Sequence, residues 1–116
     1  MFPPGRADLF NRIAASMEGV KVVKTTSPLD NKSLWMEVFT PEVSKGKAIE
    51  WLCRQKGIDI QATLGIGNDF NDLDLLRATQ YSYVVENAPS ALRREFKLTL
   101  SNNDNAFAEV IANHIY

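Results

Sequence analysis

The stretch Gly65-Ile66-Gly67-Asn68-Asp69-Phe70-Asn71-Asp72-Leu73-Asp74-Leu75-Leu76 constrains this chain more than any other. A short apolar run, Ala62 to Ile66, reads as a buried strand; Gly67 ends it, and Leu73, Leu75 and Leu76 begin a helix. Polar groups at the carboxyl end of a buried parallel strand sit where open α/β sheets bind ligands. A helical turn starting near Asp69 puts Asp69 and Asp72 on one face. Two carboxylates about 4 Å apart repel by roughly 4 kcal/mol at an effective dielectric of 20. A hard cation such as Mg2+ relieves that repulsion and prefers oxygen ligands. The same spacing also suits capping, with Asp69 as N-cap and Asp72 in place of the Glu of a capping box. Spacing leaves both open. A dinucleotide loop is disfavoured, because Phe70 stands where G-x-G-x-x-G needs its third glycine.

The rest of the chain sorts into two styles. Leu9, Phe10, Ile13, Ala14 and Met17 recur at helical spacing within residues 7 to 18, and Gly19 is a stop signal. Val20 to Thr26 is β-branched and reads as a strand, Ser27 to Lys32 has turn chemistry, and Leu34 to Phe39 alternates as a second strand. After Pro41 helices and strands alternate. Ser44 caps a helix running to about Gln55, with Ala48, Ile49, Leu52 and Cys53 inward and Gly57 as its stop. Tyr81 to Val85 and Leu98 to Leu100 read as strands, with a short helix from Pro89 and Ser90 to Phe96 between them. Ser101-Asn102-Asn103-Asp104 leads into a last helix with Phe107, Val110, Ile111 and Ile115 on one face. Strands separated by helices imply a parallel sheet. A boundary is expected near residues 40 to 43.

A length of 116 residues suffices for one small domain. With 13 basic and 14 acidic side chains, the charge is balanced, which argues against a broad nucleic-acid or anionic-membrane footprint. No apolar run approaches transmembrane length, and Met1-Phe2-Pro3-Pro4-Gly5 does not read as a signal peptide. The single Cys53 excludes an internal disulfide and fits a reducing, cytoplasmic setting. It reads as a small core residue. Asp74 and Lys47 read as surface, and His114 as a solvated residue of the last helix.

Val43-Ser44-Lys45-Gly46-Lys47-Ala48, the Gly67-to-Asp72 stretch, Glu86-Asn87-Ala88 and Ser101-Asn102-Asn103-Asp104 follow one another in an order that resembles the carboxyl-terminal part of haloacid dehalogenase-like phosphatases. The subgroup resembled is the Cof-type and sucrose-phosphatase-like one, which carries an α/β cap. The resemblance implies that residues 1–40 are the end of that cap. Residues 41–116 would then be the carboxyl-terminal half of a Rossmann-like, three-layer α/β core with parallel strands. It also implies Mg2+-dependent phosphoryl chemistry on a small phosphorylated metabolite, with a sugar phosphate first in line. In such enzymes an aspartate on the first core strand attacks phosphorus, a lysine binds the phosphoryl oxygens, and a carboxylate motif helps hold the metal. A cation and an ammonium stabilise phosphoryl charge through the transition state.

Carried over residue by residue, Lys45 matches the lysine, and Gly46 would let backbone approach the phosphate. The family's Gly-Asp-x-x-Asn-Asp places Asn68 at its first Asp and Asn71 and Asp72 at its closing pair. Asn68, Asp69 and Asp72 are therefore the candidate metal ligands. Asp69, beside the weaker Asn68, is favoured as direct ligand over Asp72, with Asn71 close by. Asn87 matches an Asn-Ala that follows the next strand; it orients the lysine or the metal loop, or is a turn residue before Pro89.

The family's Asp-x-Asp on its first strand has no counterpart before residue 45, where the only aspartates are Asp8 and Asp30. The chain therefore reads as the back part of a larger enzyme and, alone, as inactive. The strand ending at Gly67 would show an open edge, for which dimerisation or strand exchange is expected. The alternatives are a non-catalytic half-domain acting as a binding or assembly module, and phosphoryl transfer as in mutase-like relatives.

Overall fold

The structure is a computed structural model that describes residues 1–115. It divides into two compact units, Met1–Val43 and a second that starts at Ser44.

In the first unit, helix α1 (Ala7–Ser16) is followed by strands β1 (Lys21–Thr26) and β2 (Leu34–Phe39). These pair antiparallel, from Lys21 opposite Phe39 to Thr26 opposite Leu34. Phe10 is the buried anchor of α1, and its ring meets Phe2 edge-on at 5.5 Å. The alternation expected in β2 does not become a dry and a wet face: Leu34 to Glu37 are all half-buried, and Val38 and Phe39 are exposed. A two-stranded ribbon has too little neighbouring structure to bury one face fully. The turn is built on Asp30, whose carboxylate accepts from the Ser33 hydroxyl and from the backbone N–H groups of Lys32 and Ser33. The Ser33 hydroxyl bond and those two N–H bonds hold its pKa down, to about 2.

The second unit alternates as its hydrophobic pattern requires. Helix α2 (Lys45–Lys56) is capped by the Ser44 hydroxyl, which accepts from Lys47 N–H, and ends at Gly57 with φ of 65°. Strand β3 (Leu64–Gly67), a 3-10 turn (Phe70–Asp72) and helix α3 (Leu73–Ala78) follow. Strand β4 (Tyr81–Val85), helix α4 (Ser90–Glu95), strand β5 (Lys97–Thr99) and helix α5 (Ala106–Ile115) complete it. The sheet order is β3-β4-β5, all parallel, with Gly67 beside Val84 and Val85 beside Thr99. Leu76, Val84, Val85, Ala88, Leu92 and Ala106 form its core, joined by Ile66, Phe70, Leu73 and Phe96. Among the described residues β3 pairs only with β4.

Two helix faces differ from expectation. In α2, Ala48 and Leu52 are exposed, while Gly46 and Cys53 are buried with Ile49 half-buried between them. The packed face has shifted because α2 meets α3 through the glycine, not through a row of larger side chains. In α5, Val110 and Ala106 are buried but Phe107 is 70% exposed. The side chain of Ile115 lies outside the described residues. Among the described residues no helix is long and apolar enough to cross a membrane.

Candidate active site

The carboxyl end of β3 delivers the motif. Asp69 precedes the 3-10 turn in extended conformation, and its Oδ1 accepts from Phe70 N–H at 2.7 Å. Asp72 N–H donates to the Asp69 carbonyl at 3.0 Å, closing the turn. The Asp72 carboxylate folds back, and its Oδ2 accepts from Asn68 N–H at 2.9 Å. A reciprocal capping box would instead send it to the Asp69 N–H. It reaches Asn68 because Gly67 leaves room. A Cβ on Gly67 would stand 2.8 Å from the Asp72 Cβ and 3.0 Å from Leu76 Cδ1.

Both carboxylates are buried, at 7% exposure for Asp69 and 6% for Asp72. A buried carboxylate needs a partner. For Asp72 that partner is the Lys45 ammonium, which bonds its Oδ1. Lys45 comes from the first position of α2, and its side chain stays 52% exposed, so the ammonium faces both Asp72 and solvent. The structure thus brings Lys45, Asn68, Asp69 and Asp72 to one place, the end of β3. Asn71 sits within the same turn, and its buried Oδ1 has no hydrogen-bond partner among the described residues.

Two candidates make contacts of their own. Gly46 packs against α3: a Cβ there would meet the Asp74 carbonyl oxygen at 2.6 Å and the Ala78 Cβ at 3.3 Å. Its smallness serves the crossing of α2 and α3. Asn87 bonds neither Lys45 nor the motif. Its Nδ2 donates to Asn102 Oδ1 at 2.8 Å and its Oδ1 accepts from Asn102 N–H at 3.2 Å. It therefore ties the end of β4 to the loop before α5. The loop was visible in sequence, but its pairing with Asn87 was not. Asn68 and Asn102 both line an open groove with Ile66, Gly67, Val85, Asn105, Ala106 and Phe107. His114, expected in solvent, is exposed, yet its Nε2 hydrogen-bonds the Tyr83 hydroxyl.

The oxygen donors suit a hard cation. Mg2+ takes one or two carboxylates and completes its shell with water and phosphate oxygens. Two buried carboxylates and an unpartnered carboxamide oxygen in one turn fit that habit. Among the described residues no three or more His, Cys, Asp or Glu side chains gather as a larger cage.

Fold and motif together define an α/β protein with an acid- and carboxamide-rich turn at the carboxyl end of a parallel strand. A family model for haloacid dehalogenase-like hydrolases matches residues 9–111, and the chain belongs to that family. A Streptococcus pyogenes protein assigned as a phosphatase is 36% identical over 78 residues, covering 66% of this chain and 29% of the relative. Phosphoglycolate phosphatase of Methanobrevibacter smithii is 28% identical over 68 residues, covering 59% and 29%. Among solved structures, a haloacid dehalogenase-like hydrolase from B. subtilis superposes with a TM-score of 0.78 at 20% identity, covering all of this chain and 39% of that one. The subclass IIB sugar phosphatase BT4131 gives 0.77 at 16%, covering 92% and 39%. The chain spans less than a third of these curated relatives and about two fifths of these solved chains.

Proposed function

We propose that this chain supplies the lysine and metal-binding part of a Mg2+-dependent phosphatase acting on a small phosphorylated metabolite. The observation that carries this is the Lys45–Asp72 pair, set at the end of β3 beside the buried Asp69. Lys45 holds phosphoryl oxygens with its exposed ammonium, while Asp72 anchors it from behind. Asp69, buried beside Asn68 at the end of β3, is the direct metal ligand in this reading, and Asp72 is the partner that holds Lys45. Asn68 and Asn71 offer carboxamide oxygens next to it. Bound Mg2+ would supply positive charge opposite the phosphoryl oxygens.

The attacking aspartate comes from outside these residues: its carboxylate oxygen would bond phosphorus as the ester P–O bond breaks and the metabolite leaves as its alcohol, and water would then cleave the aspartyl-phosphate to release phosphate and restore the carboxylate. The named activities of the relatives, toward phosphoglycolate and sugar phosphates, support a small phosphorylated metabolite, with a sugar phosphate favoured.

The test is hydrolysis of an aryl phosphate, with Mg2+ and with excess chelator, by this chain and by a longer polypeptide that contains it. The chain alone should show no turnover. The longer protein should show chelator-sensitive turnover that Lys45→Met and Asp69→Asn each reduce at least a hundredfold. Turnover by the chain alone would mean that an attacking group lies within it. Unchanged turnover in both variants would remove the proposed roles.

A further inference from the structure

We infer that Gly46 is a positioning residue for Lys45: its missing side chain brings α2 close enough to α3 for the Lys45 ammonium to reach Asp72. The catalytic meaning of this rests on the phosphatase proposal, but the geometry does not.

Gly46 is the second residue of α2 and is buried. Gly46 has no side chain, and the space one would take is filled by a contact with α3. That contact is specific. The atoms a Cβ would strike first are the carbonyl oxygen and carbon of Asp74, at 2.6 and 3.1 Å. Both are backbone atoms of α3 and cannot rotate aside as a side chain would. The next, the Ala78 Cβ at 3.3 Å, is a methyl group fixed to the same helix. A methyl group on Gly46 therefore has to be accommodated by moving α2.

Asp72 cannot follow such a movement. Its carboxylate is tied to Asn68 N–H, and its Cβ lies where only a glycine at position 67 leaves space. It is fixed to the end of β3, whereas Lys45 is fixed to the first turn of α2 through the Ser44 cap. The Lys45–Asp72 bond bridges these two anchors. Widening the crossing at Gly46, one residue from Lys45, falls directly on that bond.

The readout is the ammonium signal of Lys45 in proton–nitrogen NMR spectra of lysine side chains. A lysine held by a buried carboxylate exchanges its protons slowly enough to be seen, and Lys45→Met and Asp72→Asn identify the signal by removing it. Gly46→Ala is expected to abolish it while the backbone amides of β4, α4 and β5 keep their shifts. Ala78→Val, which widens the same crossing from α3 and leaves Gly46 in place, should do the same if Gly46→Ala does not fold. Retention of the signal in either folded variant would overturn the inference, as would a wild-type protein with no Asp72-dependent Lys45 signal. Titration with Mg2+ and orthophosphate separates the two proposals. If Gly46→Ala loses the signal but keeps wild-type phosphate affinity, Gly46 still positions Lys45, and it is the phosphate role of Lys45 that fails.

Discussion

The ammonium of Lys45 bonds the carboxylate of Asp72 across 27 residues of chain, joining the first position of α2 to the turn that follows β3. One partner is half exposed and the other is buried, so the pair is unequal: Asp72 depends on it for solvation more than Lys45 does.

That inequality sets the cost of breaking it. Lys45→Met leaves a buried carboxylate that has lost its ammonium partner and keeps the Asn68 N–H, and should destabilise the protein by about 1–3 kcal/mol. Asp72→Asn keeps one acceptor oxygen, enough for the Asn68 N–H, and removes the charge and the second acceptor that Lys45 uses; with no buried charge left unpaired, the double variant should recover part of the loss. Urea unfolding of the four proteins measures this. Additive losses would show that the two groups do not interact.

Gly67→Ala should act on the motif directly. The added methyl overlaps the Asp72 Cβ and Leu76 Cδ1, and overpacking of this kind costs about 1–3 kcal/mol. It also displaces the Asp72 carboxylate from Asn68. A fall in Mg2+ affinity by calorimetry should therefore accompany the lower denaturant midpoint. Unchanged values for both would contradict the close approach.

The turn of the first unit should be acid-sensitive. The Asp30 carboxyl is held down to about 2 by the Ser33 hydroxyl and by the N–H groups of Lys32 and Ser33. A carboxylate with a depressed folded pKa adds stability that is complete above its ordinary value and is lost as pH falls through the folded one. The window runs from about 4 down to about 2. A carbon-13 titration of Asp30 should show a midpoint near the lower figure, and Asp30→Asn should flatten the pH dependence across that window. A midpoint at the ordinary value would refute it.

Asn102→Ala removes one of the two Asn87–Asn102 bonds, since the Asn102 N–H remains, and should cost about 1 kcal/mol. Faster amide exchange in Ser101–Asp104, with β4 unchanged, is the expected pattern. Equal exchange would show that the pair does not hold the loop.

The edge of β3 carries unpaired backbone groups among the described residues, and such edges recruit another strand. Association of this chain with a second copy is the expected outcome, and sedimentation velocity reads it directly. A monomer at high concentration would count against it.

Much of this could be read from the sequence. Ser44 and Gly57 bound α2, the apolar runs mark β3 and β4, and the order of four short motifs points to the haloacid dehalogenase-like family. Signals of this kind are local: caps, turns and periodicities act within a few residues, so they survive without the third dimension. Tertiary structure alone decided that Gly46 serves the α2–α3 crossing, that Asp72 turns back to Asn68 while holding Lys45, that Asn87 pairs with Asn102, and that Phe107 faces outward. Apart from the short Asp72–Asn68 bond, each depends on how closely elements far apart in the chain approach one another. Packing sets that distance, and spacing along the sequence does not encode it.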